Sequence, residues 1–239
     1  MVVAICADGG VVLASDGRTS NTDNGSRGIE DDEARKVVFV PDASRAVGAT
    51  EFRVAVLFTG RATFKKVPVA NIVEKMVAQQ SDVQQATVRD FARKLAYVLE
   101  ERGSERIGPA SHHVTYVGRP VQFVVVGYSA HSQILEAVDY IIAEEFQTDD
   151  KQPFSPKGYL LRGTPQSNSA SDPYSVAEQH LEDKLNTRNA DRPIDAMLNL
   201  ANETIRLACS KAPDEIGGRV QRAVLRPDRT VAWMDDWWL

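Results

Sequence analysis

The start of the sequence contains a β-hairpin pattern that constrains how the rest of the chain can be arranged. Two apolar runs flank Asp8-Gly9-Gly10, and Asp-Gly between apolar runs is typical of two antiparallel strands joined by a tight turn. Counting pairs back from a turn of two or three residues places Asp16 beside Met1, Val2 or Val3. Directly paired residues have Cβ atoms about 4.5–5.5 Å apart. A carboxylate is therefore predicted next to the terminus of the printed chain.

A lysine is expected to join that carboxylate. A third apolar run, Val37–Val40, directly follows Lys36 and is expected to pack beside the first two strands. An amine, a carboxylate and a lysine then converge on one strand end. Asp16-Gly17 is also ordinary turn chemistry, and a lysine is an ordinary solvated strand end. Spacing alone leaves the structural and the functional interpretations open.

Four pieces of the sequence resemble the N-terminal nucleophile (Ntn) hydrolases, most closely the β-type subunits of the proteasome and their bacterial homologues. They are the hairpin with Asp16, the motif Ala34-Arg35-Lys36, the segment around Gly60, and Gly217-Gly218 before a short strand. The resemblance spans nearly the whole chain and implies an α+β fold, a four-layer α-β-β-α sandwich with antiparallel sheets. It also implies that a terminal threonine attacks a peptide carbonyl, helped by its own amine, the aspartate and the lysine.

The resemblance assigns roles to individual residues. Asp16 and Lys36 are implied to be catalytic, and the backbone N–H of Gly60, expected near the start of the first long helix, to be an oxyanion donor. A substrate strand is implied between Arg18, Thr19 and Ser20 on one side and Gly60, Arg61 and Ala62 on the other. The implied pocket for the first substrate side chain is lined by Thr19, Ala34, Val38, Phe58 and Ala62. Because this lining is mostly apolar and uncharged, a preference for apolar side chains is expected.

The sequence departs from the family pattern at the nucleophile. Counted back without gaps from Asp16, the nucleophile falls one residue before Met1, and positions 1 to 5 contain no Thr, Ser or Cys. Three explanations stay open: a threonine directly upstream, removal of Met1 that leaves the amine of Val2, or a non-catalytic subunit. Cys6 lies in mid-strand, where a buried structural cysteine is the favoured interpretation.

The supporting residues of the site also depart from the pattern. A supporting serine of the family falls on Ile216 and a supporting aspartate on Pro213, with Asp214 one position away; another supporting serine maps to Thr164. The second layer of the implied site is therefore altered as well.

Composition narrows the class of protein further. At 239 residues, with 43% hydrophobic and 26% charged residues, the chain suits one soluble domain over residues 1–239. The net charge of −5 argues against nucleic acid as a partner. Stretches long enough to span a membrane are absent, and two cysteines fit a reducing interior, so a cytoplasmic protein is expected. Neither a cofactor nor a metal site is expected.

The resemblance also implies partners. They are further copies of the chain in a ring or stacked oligomer, a peptide or protein substrate, and an unfoldase. The apolar C-terminal residues Trp237, Trp238 and Leu239 fit either a contact between subunits or a tail folded back on its own domain.

Apolar periodicity predicts strands, two helices, strands, two helices and final strands, an order typical of packed layers. The helices are predicted at 61–79, 87–103, 173–185 and 193–212, and a polar loop at 21–33.

Overall fold

Strands and helices follow one another in the predicted order. The computed structural model of the chain describes residues 1–21, 28–31, 33–41, 53–60, 63–64, 67–79, 87–106, 114–116, 121–130, 132, 134–142, 158–163, 172–186, 191–234 and 237–239. The elements are β1 (Val2–Ala7), β2 (Gly10–Ser15), β3 (Thr19–Asn21), β4 (Gly28–Asp31), β5 (Val37–Val40), β6 (Arg53–Gly60), β7 (Thr63–Phe64), β8 (Val67–Pro68), α1 (Val69–Ala78), α2 (Val88–Gly103), β9 (Ser104–Arg106), β10 (Val114–Tyr116), β11 (Val121–Tyr128), β12 (Leu135–Ile142), β13 (Tyr159–Arg162), α3 (Pro173–Leu185), α4 (Ile194–Lys211), β14 (Arg219–Leu225), β15 (Val231–Trp233) and β16 (Trp237–Trp238).

The first of two compact units comprises Met1–Val37 and Phe154–Leu239. Its antiparallel sheet has the strand order β13-β1-β2-β14-β15, and β16 also pairs with β14. Alternate residues of the central strands, such as Val3 and Val12, share a buried apolar cluster with Leu181 of α3 and Ile205 of α4. Each fully buried side chain of this kind contributes about 1.5–3 kcal/mol. The helices therefore cover one face of this sheet.

The hairpin at the start of this unit has the predicted two-residue turn. Ala7 pairs with Gly10, and Gly9 between them has a φ of 87°, which a glycine adopts without strain. The register runs back to Val2 opposite Ser15. The Asp16 N–H donates to the Met1 carbonyl at 3.2 Å. Asp16 therefore lies beside Met1, as the residue count predicts.

The second unit, Val38–Pro153, is built on the antiparallel sheet β12-β11-β6-β5. Apolar residues of these strands share one cluster with α1 and α2, including Phe91 and Leu95. Helix α2 begins after a capping residue: Thr87 Oγ1 accepts from the Asp90 N–H at 3.0 Å and donates to the Asp90 carboxylate at 2.7 Å.

Three expectations are wrong. Strand β5 pairs with β6 in the second sheet, not with the opening hairpin, because a short apolar run carries no information about which sheet accepts it. The first helix begins at Val69 instead of 61, since Pro68 lacks an N–H and disfavours helical geometry at the residue before it. The segment predicted as a loop at 21–33 contains β4, which pairs with β3.

The C-terminal tail folds back on its own unit. Trp237 of β16 pairs with Val220 of β14, and the Leu239 N–H donates to the Gly218 carbonyl at 3.1 Å. The structure therefore has the tail folded back on its own domain, which is the second of the two expected arrangements.

An α+β fold with antiparallel sheets is thus confirmed. Among the described helices, none has the length and apolar character that a membrane span requires.

Candidate active site

Asp16 is a fully buried carboxylate surrounded by donors. It directly follows β2 and is 0% exposed. Its Oδ1 accepts from the α-amino group of Met1. Lys36 Nζ donates to Oδ1 at 3.0 Å and to Oδ2 at 3.1 Å. Two backbone N–H groups, of Arg18 at 3.2 Å and Gly217 at 3.4 Å, also point to Oδ2. A buried charge needs such pairing, and here both carboxylate oxygens have it.

The charges around Asp16 set its protonation state. Burial by itself would raise the pKa of the Asp16 carboxyl, but Lys36 and the α-amino group lower that pKa below its ordinary 3.8. The carboxyl is therefore ionised at neutral pH.

The pKa of the Met1 α-amino group is lowered, which favours the neutral amine. Burial lowers its pKa from 8.0 to about 6, against the opposing charge of Asp16 and with the help of Lys36. At pH 7 this amine is mostly neutral. It can then accept a proton, which is the requirement for a general base.

Lys36 is held at both of its ends. Its side chain is nearly buried, and Nζ makes a further bond to the Arg18 carbonyl at 2.7 Å. Its backbone N–H donates to Gln221 Oε1 at 2.9 Å. Lys36 is therefore held by Asp16 and Arg18 at its ammonium and by Gln221 at its backbone.

The segment after Asp16 is tied to the loop before β14. The Gly17 N–H donates to the Gly217 carbonyl at 3.0 Å, and the Ala34 N–H donates to the Gly17 carbonyl at 2.9 Å. The Arg18 guanidinium donates to the Pro213 carbonyl and lies against Gly217, where an added Cβ would be 3.0 Å from Cζ. A side chain at position 217 would therefore require the guanidinium to shift by a few tenths of an ångström.

The remaining residues implied by the resemblance lie at various places. Gly60 is the last residue of β6, with a φ of 84°, and does not adjoin a helix start, because α1 begins nine residues later. Val38 and Phe58 are packed in the apolar core of the second unit. Thr19 begins β3 and is half-buried.

Further residues that the resemblance implies lie in β3, in a turn after α4 and in the apolar cluster of the first unit. Ser20 lies in β3, and Asp214 is exposed in the turn after α4. Ile216 is buried in the apolar cluster of the first unit. Arg61, Ala62 and Thr164 lie outside the described residues.

Sequence reasoning missed two residues of this site. Gly217 was noted for the Gly-Gly pair alone, yet its N–H points to Asp16. Gln221 carries no prediction from the sequence, yet its side-chain oxygen accepts from the backbone N–H of Lys36. No local pattern singles out Gln221, because β14 reads Arg-Val-Gln-Arg-Ala-Val-Leu and the charged Arg222 stands beside it.

The part of the chain that the structure describes has no group of three His, Cys, Asp or Glu side chains placed to hold a metal ion. The chemistry that this arrangement supports is acid–base chemistry at an amine, a carboxylate and an ammonium.

Comparison with known proteins finds similarity in structure. No protein-family model matches the chain, and no curated protein sequence matches it. A solved structure of an Anbu Gly-1 mutant from Hyphomicrobium sp. strain MC1 matches with a TM-score of 0.64 and 12% identity, over 99% of this chain and 85% of that one. Anbu (ancestral beta-subunit) from Yersinia bercovieri matches with a TM-score of 0.60 and 15% identity, over 97% and 85%.

These matches confirm the fold class and correct the resemblance. The chain has the Ntn, proteasome-like fold that the Anbu proteins share. The identification with proteasome β-type subunits is wrong, because the structural neighbours are Anbu proteins.

Proposed function

We propose that this chain is an Ntn-class hydrolase that cleaves peptide bonds. The observation that carries the proposal is the buried Asp16 carboxylate, which binds an α-amino group and Lys36 Nζ together. The cluster joins a base, an orienting anion and a cation in one place. Ntn-type catalysis uses such a set, since the terminal amine activates the side chain of its own residue.

The chemistry follows from the charges. The neutral α-amino group of the mature terminal residue accepts the proton of that residue's hydroxyl or thiol. Burial favours the neutral form of an amine at this place, as it does for the Met1 amine, whose pKa it lowers to about 6. The attacking atom then forms a bond to the peptide carbonyl carbon, and the protonated amine returns the proton to the leaving nitrogen. Water hydrolyses the resulting ester or thioester by the same route. Asp16 orients the amine, and the Lys36 cation stabilises the negative charge that develops on the attacking atom.

The attacking side chain belongs to the mature terminal residue in this proposal. Met1, the first residue of the printed sequence, has a thioether that cannot attack a carbonyl. The proposal therefore requires a Thr, Ser or Cys at the mature terminus that faces Asp16 and Lys36.

Substrate preference and assembly are part of the proposal. Gly60 is the proposed oxyanion donor, and a preference for apolar substrate side chains is proposed. We propose that residues 1–239 act as a single domain in a cytoplasmic ring or stacked homo-oligomer, with an unfoldase that delivers protein substrates. The similar structure from Yersinia bercovieri is described as an ancestral beta-subunit, which supports assembly into an oligomer.

A peptidase assay on protein from the natural source tests this function. Fluorogenic peptides that end in Leu, Tyr, Arg or Asp are compared, and the expected result is cleavage after Leu and Tyr that the Lys36→Met variant lacks. Lys75→Met, at an exposed lysine of α1, is the matched control and should cleave as the wild type does. Equal hydrolysis by the Lys36→Met variant would contradict the proposal.

A catalytically silent subunit of the same type of assembly is the second candidate. The observation in its favour is Met1, a residue that is 5% exposed and packs in the apolar cluster of the first unit, with its amine bound to Asp16. In that case the amine, the Asp16 carboxylate and the Lys36 ammonium stabilise the fold and do no chemistry. Failure of a terminal-nucleophile reagent to label the natural protein would favour this candidate.

A further inference from the structure

Gln221 binds the main chain from which Lys36 projects. Its Oε1 accepts from the Lys36 backbone N–H at 2.9 Å and from the Val37 N–H at 3.3 Å. The Ser15 hydroxyl also donates to it, at 3.4 Å. One oxygen atom therefore connects the residue before Asp16 with the backbone at Lys36.

The identity of that atom follows from its neighbours. Backbone N–H groups can only donate, so the side-chain atom that faces two of them must be the amide oxygen. Gln221 is half-buried in β14, opposite Ser15 in the β14–β2 ladder. The glutamine is thus fixed by its own strand, and its side chain reaches sideways to a different segment of the chain.

Lys36 needs this second anchor because of its geometry. Its Nζ is carried on a flexible four-carbon stem, and only a fixed backbone keeps the ammonium in one place. The far end of the stem is held by Asp16 and by the Arg18 carbonyl at 2.7 Å. The near end is held by Gln221.

We propose that Gln221 is a positioning residue, whose side-chain oxygen holds the backbone at Lys36 so that Nζ remains against Asp16. Its effect on catalysis rests on the proposed function, whereas its effect on the amine does not. A backbone that moves by 1 Å at Lys36 shifts the ammonium by a similar distance, and such a displacement is worth about 10²-fold in rate.

The first test measures the amine and needs no enzymatic activity. The charged groups that act on the Met1 amine are Asp16, which raises its pKa, and Lys36, which lowers it. Gln221→Met releases Lys36, so the amine should titrate at a higher pH than in the wild type. Trace acetylation of the chain of residues 1–239 with acetic anhydride from pH 5 to 9, read by mass spectrometry of the N-terminal peptide, gives the midpoint.

Two further variants accompany that measurement, one as a control and one as a substitute for Gln221→Met. Gln179→Met removes a side-chain bond of 2.7 Å to Asp183 on α3, away from Lys36, and should leave the midpoint unchanged. Gln221→Asn retains an amide but is one methylene shorter, so it serves if the methionine variant does not fold, and the midpoint should again rise. A folded Gln221 variant with the wild-type midpoint would overturn the proposal.

The second test uses protein with an active terminus. Gln221→Met should lower kcat by roughly 10- to 100-fold with KM nearly unchanged, and Gln221→Glu, which restores an acceptor oxygen, should recover most of the loss. Loss in KM alone, or no recovery with glutamate, would contradict a positioning role. If the wild type has no peptidase activity, the proposed function fails, and the amine midpoint still decides the role of Gln221.

Discussion

Lys36 Nζ donates to both oxygens of the Asp16 carboxylate, at 3.0 and 3.1 Å, with the aspartate fully buried and the lysine nearly so. A buried ion pair of this kind is strongly destabilised when one partner is lost, because the other charge is left in a low-dielectric site. Here the α-amino group is bound to the same carboxylate. The pair and the amine therefore form one coupled unit.

Removal of the lysine charge should be costly to stability. Lys36→Met is expected to lower the free energy of unfolding by about 3–5 kcal/mol, since Asp16 loses the group that neutralises it. Urea denaturation followed by circular dichroism measures the change. Lys75→Met, at an exposed position of α1, should cost less than about 0.5 kcal/mol. Similar losses in the two variants would show that the pair contributes little.

Stability should rise with pH from about 6 to 8. The α-amino group has a pKa of about 6 in the folded chain against an ordinary 8.0, so the unfolded chain binds more protons in this range. A shift of this size corresponds to about 2–3 kcal/mol across the window. Denaturation midpoints measured at each pH check the slope. An N-acetylated chain lacks the titrating group, and its curve should be flatter; equal slopes for the two chains would refute the assignment.

Acid should destabilise the fold through Asp16. Its pKa is held below 3.8, so the stability that the carboxylate provides is present above that pH and is lost as the pH falls below it. In Asp16→Asn that part of the acid loss should be missing. Unfolding monitored between pH 5 and 2 makes the comparison, and an unchanged acid transition in the variant would contradict it.

A side chain at position 217 should disturb the contact with Arg18. The Cβ of Gly217→Ala would lie 3.0 Å from Arg18 Cζ and 3.1 Å from Nη1, so the guanidinium must shift by a few tenths of an ångström. We expect a loss of about 1–3 kcal/mol. Gly163→Ala, whose Cβ would meet its nearest neighbour at an ordinary 3.4 Å, is the control. Thermal unfolding of both variants should show a lower midpoint for Gly217→Ala alone.

The hairpin and the contact of Asp16 with Met1 can be predicted from the local sequence. Asp8-Gly9 fixes a two-residue turn, and from such a turn the pairing of residues follows by counting. The helices with a clear start signal are equally readable: Pro173 begins α3, and Asp172 caps it by accepting from the Ser175 N–H.

The parts that escaped prediction depend on distant residues. Gln221 is 185 positions from Lys36, and no pattern in either segment indicates their contact. Strand β5 pairs with β6, and its short apolar sequence would fit either sheet equally well. Strand packing beside the hairpin, which the structure does not have, and a resemblance to proteasome subunits both predict that Lys36 lies near Asp16. That resemblance was right about the fold and wrong about the subfamily.

The central claim is that Asp16 and Lys36 serve a terminal nucleophile, and the most direct measurement is made on protein from its natural source. Intact mass and N-terminal sequencing are recorded before and after incubation with a peptide epoxyketone, which reacts with a terminal amine and hydroxyl together. The account predicts a mature Thr, Ser or Cys terminus, with a covalent adduct in the case of Thr or Ser. A mature terminus at Met1 or Val2 that stays unlabelled would contradict it.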